Sequence, residues 1–379
     1  MKMKKLAILL FLFSLQACGP KKSNSEENHN SELTLKKAFK DDFTIGTAMN
    51  VHQIYKRDAS TDSVIQKHFN SIVAENCMKS MNIHPEIDRF FWDDSDAFVQ
   101  YGIDHHMEII GHNLAWHSQT PSWLFIDENG NDVDREEMLK RLHDHIVSIM
   151  TRYKGKIKGY DVVNEAINDD GSMRESKFYQ IIGPDWVEQA FKFAAEADPS
   201  AELYYNDYNM SNQIKSKAVY KMVQQMQEKG IKVDGIGMQG HLNVGSPSLK
   251  DFEKSIIMFS ELGKVMVTEL DVTVLPWPDQ NASAEVSLRA EYQEEMNPYP
   301  SGMSDSMSQA LNNRYIDIFD LLLKHKAKVS RVTLWGVNDN QTWRNNWPIE
   351  GRRDYPLLFN RDNTPKPAVD SIMINAVKI

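Results

Sequence analysis

Two acidic residues sit where they could break a covalent bond. Glu165 closes the run Asp161-Val162-Val163-Asn164-Glu165, and Glu269 stands inside Val267-Thr268-Glu269-Leu270-Asp271. Each follows a short β-branched stretch that reads as a strand. A carboxyl group at a strand end can donate a proton, accept one, or attack as a nucleophile. Glycoside hydrolysis needs two such groups about one bond: one protonates the leaving oxygen, and the other attacks the anomeric carbon or activates water. A lone acidic residue after a strand serves equally well as the N-cap of the next helix. The choice therefore depends on the elements that carry the pair.

Those elements alternate. β-prone runs fall at 43–49, 71–74, 108–114, 157–163, 202–206, 235–239, 265–270 and 331–335. Between them, stretches such as 136–153, 184–197, 215–229, 249–261 and 311–325 carry apolar residues at steps of three and four, the spacing of a half-buried helix. Eight β–α units predict an α/β fold, a parallel (β/α)8 barrel forming a single catalytic domain over 35–379. A doubly wound sheet is the alternative, and the unusual residues decide between them. Asn50, Glu75-Asn76, His112, Trp116-His117, Asn164-Glu165, Asn206-Asp207, Gln239, His241, Glu269, Asp271 and Trp335 all lie just after the apolar part of a strand. A barrel turns every C-terminal strand end to one face, so these clusters converge, whereas an open sheet would scatter them. Glu165 then ends the fourth strand and Glu269 the seventh, on opposite sides of the mouth. No internal repeat or second domain is evident. The connection over 272–310, rich in Pro, Gly, Ser, Met and acidic residues, is long enough to be functional, and is expected to tune substrate length or branching without taking part in the chemistry.

Composition narrows the partners. The 379 residues carry a formal charge of -10, which disfavours nucleic acid and leaves a neutral polysaccharide open. Cys18 and Cys77 are the two cysteines, too few for a multi-Cys zinc site. No cofactor and no metal is implied, and a monomer is expected. Residues 1–17 read as an export signal: a basic start, an apolar run too short to span a bilayer, then Leu15-Gln16-Ala17-Cys18. This last run resembles a lipobox, with Cys18 as the lipidated first residue of the mature chain. A plain signal peptide followed by an ordinary Cys is the alternative, and a Cys directly after a small residue at this boundary favours lipidation. Polar residues over 18–34 read as a flexible tether. The expectation is an exported bacterial lipoprotein held to a membrane by Cys18, at the cell surface and outer membrane or in the periplasm.

Seven motifs in order carry a resemblance to a known family: Ala74-Glu75-Asn76-Cys77-Met78-Lys79, Gly111-His112-Asn113-Leu114-Ala115-Trp116-His117-Ser118-Gln119, Asp161-Val162-Val163-Asn164-Glu165-Ala166, Tyr205-Asn206-Asp207-Tyr208-Asn209, Gly237-Met238-Gln239-Gly240-His241, Thr268-Glu269-Leu270-Asp271-Val272 and Trp335-Gly336-Val337-Asn338-Asp339. From about residue 35 to its end, the chain resembles glycoside hydrolase family 10, whose principal activity is endo-β-1,4-xylanase. The resemblance implies a retaining mechanism with Glu269 as nucleophile and Glu165 as acid and then base, their carboxyl groups roughly 5–5.5 Å apart. It further implies that Asn164 binds the sugar 2-hydroxyl, and that His241 and Asp271 support the nucleophile. By the same resemblance, Glu75, Asn76 and Lys79 hold sugars on the non-reducing side, while His112, Trp116 and Gln239 surround the cleaved sugar. Trp335 and Trp343 would cover that sugar, and Tyr208 would stack on the leaving side. Bland alternatives stand beside these roles: core packing for the tryptophans, a solvated helix position for Lys79 and a turn position for Asn206. Cys77 and Ser80 depart from the common pattern beside matched positions, and Cys77 is expected to be a buried, inert thiol. Two rivals remain: a β-1,4-glucanase on the same barrel, and a surface lipoprotein that only captures glycan. Intact Glu165 and Glu269 speak against mere capture, and Trp343 could crowd out the hydroxymethyl group of glucose.

Overall fold

The computed structural model describes residues 33–277 and 296–378. The export signal, Cys18, nearly all of the tether and residues 278–295 of the long connection lie outside the described residues.

The strands are β1 Thr44–Met49, β2 Ser71–Ala74, β3 Glu108–Trp116, β4 Gly159–Asn164, β5 Glu202–Asp207, β6 Gly235–Met238, β7 His241–Asn243, β8 Lys264–Thr273 and β9 Val329–Leu334. β1 to β6 pair in sequence, β1 also pairs β9, β9 pairs β8, and β8 pairs β6, every pairing parallel. That ring is the expected closed barrel of eight strands. β7 is an addition to it: His241 to Asn243 pair with Asp271 to Thr273, where β8 overhangs the ring. Its ladder satisfies backbone groups at the end of β8 that the ring leaves unpaired. Glu269 therefore lies on the seventh strand of the barrel, labelled β8.

Helices occupy the expected places, with Arg135–Arg152 as an example. The Asp134 side chain accepts the Glu137 N–H at its start, and Glu136 and Glu137 place negative charge in the first turn. Met138, Leu142, His145, Ile146, Ile149 and Met150 form its buried stripe. Full burial of one such leucine is worth about 1.5–3 kcal/mol, and Leu142→Ala would cost about 2–5 kcal/mol with the cavity it leaves. One helix boundary differs from expectation by more than a turn. The helix expected at 311–325 begins at Asp305, inside the stretch read as connection. Its first turns are too polar to show periodicity, but Ser304 caps them by accepting the Met307 N–H.

Irregularities in the ladder aim the site. The register between β8 and β9 shifts between Val267 and Leu270, and Glu269 falls in that bulge. β4 and β5 shift between Asp161 and Val163, just before Asn164 and Glu165. Gly237 is required by close approach, since a Cβ there would lie 2.4 Å from Oδ1 of Asn206 and 2.8 Å from Cγ2 of Thr268. With no side chain between them, Thr268 donates its hydroxyl to Asn206 Oδ1 at 2.6 Å inside the barrel.

Candidate active site

Glu165 and Glu269 line one cleft of about 750 Å³ at the C-terminal ends of the strands. Glu75, Asn76, Lys79, His112, Trp116, Asn164, Tyr208, Gln239, His241, Trp335 and Trp343 line it too. Asp271 is fully buried behind them. Asn50 does not join the cluster. It caps the helix Val51–Ile54 through a reciprocal bond with Gln53, the ordinary role of an Asn after a strand.

The two carboxylates have different surroundings. Glu269 Oε1 accepts from Asn206 Nδ2 at 2.8 Å, and Oε2 lies 3.2 Å from His241 Nε2. His241 Nδ1 is 3.0 Å from Asp271 Oδ1, an ion-pair contact rather than an aligned hydrogen bond. Burial alone would lower the proton affinity of His241, but the charges of Asp271 and Glu269 outweigh it and raise its pKa to about 9. Burial pushes Glu269 up, yet His241 and Asn206 hold it below the ordinary carboxylate value. Asp271 is buried too, and Arg344 and His241 hold it well below the usual range. Arg344 Nη2 donates to Asp271 Oδ1 at 2.8 Å, and Trp343 Nε1 donates to Oδ2 at 2.9 Å. A line of alternating charge thus runs from Arg344 through Asp271 and His241 to Glu269, and keeps Glu269 ionised.

Glu165 meets neutral donors instead. Trp116 Nε1 donates to Oε2 at 2.9 Å, and Gln239 Nε2 donates to Oε1 at 2.8 Å. Asn164 joins the two halves: its Oδ1 accepts from Asn206 Nδ2 at 2.9 Å and from Gln239 Nε2 at 3.3 Å. The pair thus has one carboxylate held by a charged partner and another that accepts from neutral N–H donors.

The cleft walls are held by further polar and aromatic contacts. Lys79 Nζ donates to Asn76 Oδ1 at 3.0 Å and lies 5.2 Å from the centre of the Trp116 ring. Burial raises the Glu75 carboxyl and lowers the Lys79 ammonium, each partly offset by the other's charge. His112 Nδ1 is 2.9 Å from Asp161 Oδ2, which fixes the ring edge-on to Trp335 at 5.1 Å. Trp335 packs with Ala48, Val73, Ile110 and Trp343 in a small apolar cluster, and both tryptophans line the cleft. Tyr208 takes a hydrogen bond from Arg174 at 3.1 Å, with Lys215 Nζ 3.4 Å from its ring centre. Cys77 is buried and free, and burial pushes its thiol up to about 12, so it is inert at neutral pH. Among the described residues, no group of three His, Cys, Asp or Glu could hold a metal ion.

The sequence left the role of Asn206 open between site and turn, and marked neither Arg344 nor Lys215 for the site. Asn206 is not a turn residue: it lies on β5 with its side chain inside the barrel, bonded to Glu269, Asn164 and Thr268. Its place in the motif around 205–209 was a signal, but strand phase decides whether it points inward. Arg344 lies in no motif and Lys215 opens an ordinary amphipathic helical stretch, yet both are buried on carboxylates.

The chain matches the profile of glycosyl hydrolase family 10 over residues 34–375. It is 45% identical to endo-1,4-beta-xylanase A of Xylanibacter ruminicola over 344 residues, covering 90% of this chain and 93% of that one. It is 37% identical to a beta-1,4-xylanase of Dictyoglomus thermophilum, covering 96% and 95%. A solved endoxylanase of the same family from a sugarcane soil metagenome superposes with a TM-score of 0.86 at 41% identity, covering 91% of this chain and 99% of that one. Fold, site geometry and these likenesses agree, and the chain belongs to glycosyl hydrolase family 10.

Proposed function

We propose that this protein is a retaining endo-1,4-β-xylanase, with Glu269 as nucleophile and Glu165 as general acid and then base. The observation that carries the assignment is the contrast between the two carboxylates. Glu269 is anchored to a charged histidine and an amide that keep it ionised, as attack on the anomeric carbon requires. Among the described residues, Glu165 accepts only from neutral N–H donors on its carboxylate, with no charged group hydrogen-bonded to it, and takes the role of general acid and base.

In the first step Glu269 attacks the anomeric carbon while Glu165 gives its proton to the departing sugar oxygen. Asn164, placed between the two, takes the 2-hydroxyl of the sugar. In the second step Glu165 removes a proton from water, which attacks the same carbon and releases Glu269. Glu75, Asn76 and Lys79 hold the chain on the non-reducing side, and Tyr208 lies on the leaving side. Trp335 and Trp343 cover the reacting sugar, and Trp343 crowds the place where glucose carries its hydroxymethyl group. The names of the relatives support xylan over β-1,4-glucan, and two intact carboxylates support hydrolysis over capture.

The protein also acts, in this reading, as an exported monomeric lipoprotein. The basic and apolar start of the chain and Leu15-Gln16-Ala17-Cys18 support a membrane anchor on Cys18. Release of reducing ends from xylan, with cellulose alongside, tests the activity. The expected result is turnover of xylan, little of cellulose, and none by Glu269→Ala. Equal turnover of cellulose would make the enzyme a glucanase, and binding without release would make it a capture protein.

A further inference from the structure

Glu165 has a backbone that needs support. Its φ is +61°, in the left-handed region that a residue with a Cβ enters only at a cost of about 1 kcal/mol or more. Side chains that do not line the cleft hold the peptide groups that follow it. Arg174 Nε donates to the Glu165 carbonyl at 2.9 Å. The Ala166 N–H donates to the Tyr205 hydroxyl at 3.0 Å, and the Ile167 N–H reaches Asp207 Oδ2 at 3.4 Å. Tyr205 in turn donates to that same Asp207 oxygen at 2.5 Å, and Lys215 Nζ pairs with the other at 2.8 Å.

Tyr205, Asp207 and Lys215 are fully buried. A buried ion pair adds little net stability, because desolvation of both charges offsets their attraction. Loss of one partner, by contrast, strands the other. Such a pair suits a part that must hold one geometry. Here it underlies the backbone of Glu165 on one side and the ring of Tyr208 on the other.

We propose that Tyr205, Asp207 and Lys215, with Arg174, are positioning residues that set the Glu165 carboxyl for proton transfer. The proposal rests on Glu165 being the acid and base. It implies that loosening the platform harms proton transfer and spares nucleophilic attack.

Tyr205→Phe removes one oxygen and leaves the ring. The probes are xylan, whose leaving group needs a proton, and a dinitrophenyl xylobioside, whose leaving group does not. On xylan, kcat should fall about 10- to 100-fold, part of the 10²–10⁴-fold that general acid–base catalysis supplies. With the aryl substrate, the burst of dinitrophenolate should keep its rate within about twofold, since that step needs no acid, while steady turnover falls as on xylan. Azide should restore that turnover by attacking the anomeric carbon of the intermediate, displacing the Glu269 carboxylate and leaving a glycosyl azide.

Burst amplitude counts competent sites, so partial unfolding lowers the amplitude without imitating the split in rates. Arg174→Met, at the partly exposed edge, should show the same split more weakly, and carries the test if Tyr205→Phe yields no competent sites. Equal loss in burst rate and steady turnover, or no loss in either, overturns the proposal. Glu165→Ala run in parallel separates the two ideas. If it shows neither burst nor azide rescue, the role of Glu165 is wrong. If it shows both and the platform variants show no split, the platform alone is wrong.

Discussion

The side-chain amide of Asn206 donates to Oε1 of Glu269 at 2.8 Å and to Oδ1 of Asn164 at 2.9 Å. One NH₂ group thus ties Glu269 to Asn164, the residue proposed to meet the sugar 2-hydroxyl. Asn206→Ala removes both bonds and the acceptor of Thr268. Hydrogen bonds to charged groups are worth about 1.5–3 kcal/mol, so kcat/KM should fall roughly 10- to 150-fold. Because the loss falls on the nucleophile, the burst with an aryl xylobioside should slow as much as xylan hydrolysis does. An unchanged burst rate would show that Asn206 does not tune Glu269.

The division of labour between the glutamates has its own signature. Glu269→Ala cannot form the covalent intermediate, and should lack both a burst and turnover on every substrate. Glu165→Ala should lose about 10²–10⁴-fold on xylan. With a nitrophenyl glycoside it should give a burst, then a stall that azide relieves. A burst in the Glu269 variant and none in the Glu165 variant would exchange the two roles.

His241 makes stability depend on pH in alkali. Its pKa is about 9 in the folded chain against an ordinary 6.5, so folding favours its charged form. That stabilisation is present in full below about 6.5 and is lost as the pH rises through about 9. Glu269 acts in the opposite sense: held below its ordinary 4.5, it stabilises above that value and withdraws support as the pH falls. Melting temperature should therefore decline by a few degrees from neutral pH to beyond pH 9, and His241→Gln should flatten that decline. An alkaline slope identical in wild type and variant would rule out His241 as its source.

Cys18→Ala should move the protein from the membrane to the soluble fraction with its activity on xylan intact. Metabolic labelling with a fatty acid checks the same point, since the wild type should take the label and the variant should not. A variant that stays with the membrane, beside an unlabelled wild type, would dismiss the lipid anchor.

Much of this protein was legible in order along the chain. Alternating β-branched and helical runs specified the barrel, because the spacing of apolar residues is local and each unit needs only its neighbours to bury its face. Glu165 and Glu269 were legible too, since a strand end is a local feature and the barrel sends all such ends to one mouth. Residue phase and pairing across the ring were not. At the strand end of Asn206 a turn role and a site role both stay open until β5 takes its register with β6 and Gly237 leaves room for the side chain inside. Arg344 and Lys215 carry no sign of their partners until the fold buries them, Arg344 against Asp271 far off in sequence and Lys215 against Asp207 on the preceding strand. Charges of that kind are chosen by long-range packing, because only the closed barrel excludes water around them and makes a paired partner necessary. The types and order of the residues thus determined the architecture and the two carboxylates, while tertiary structure decided which of them is held ionised and by what.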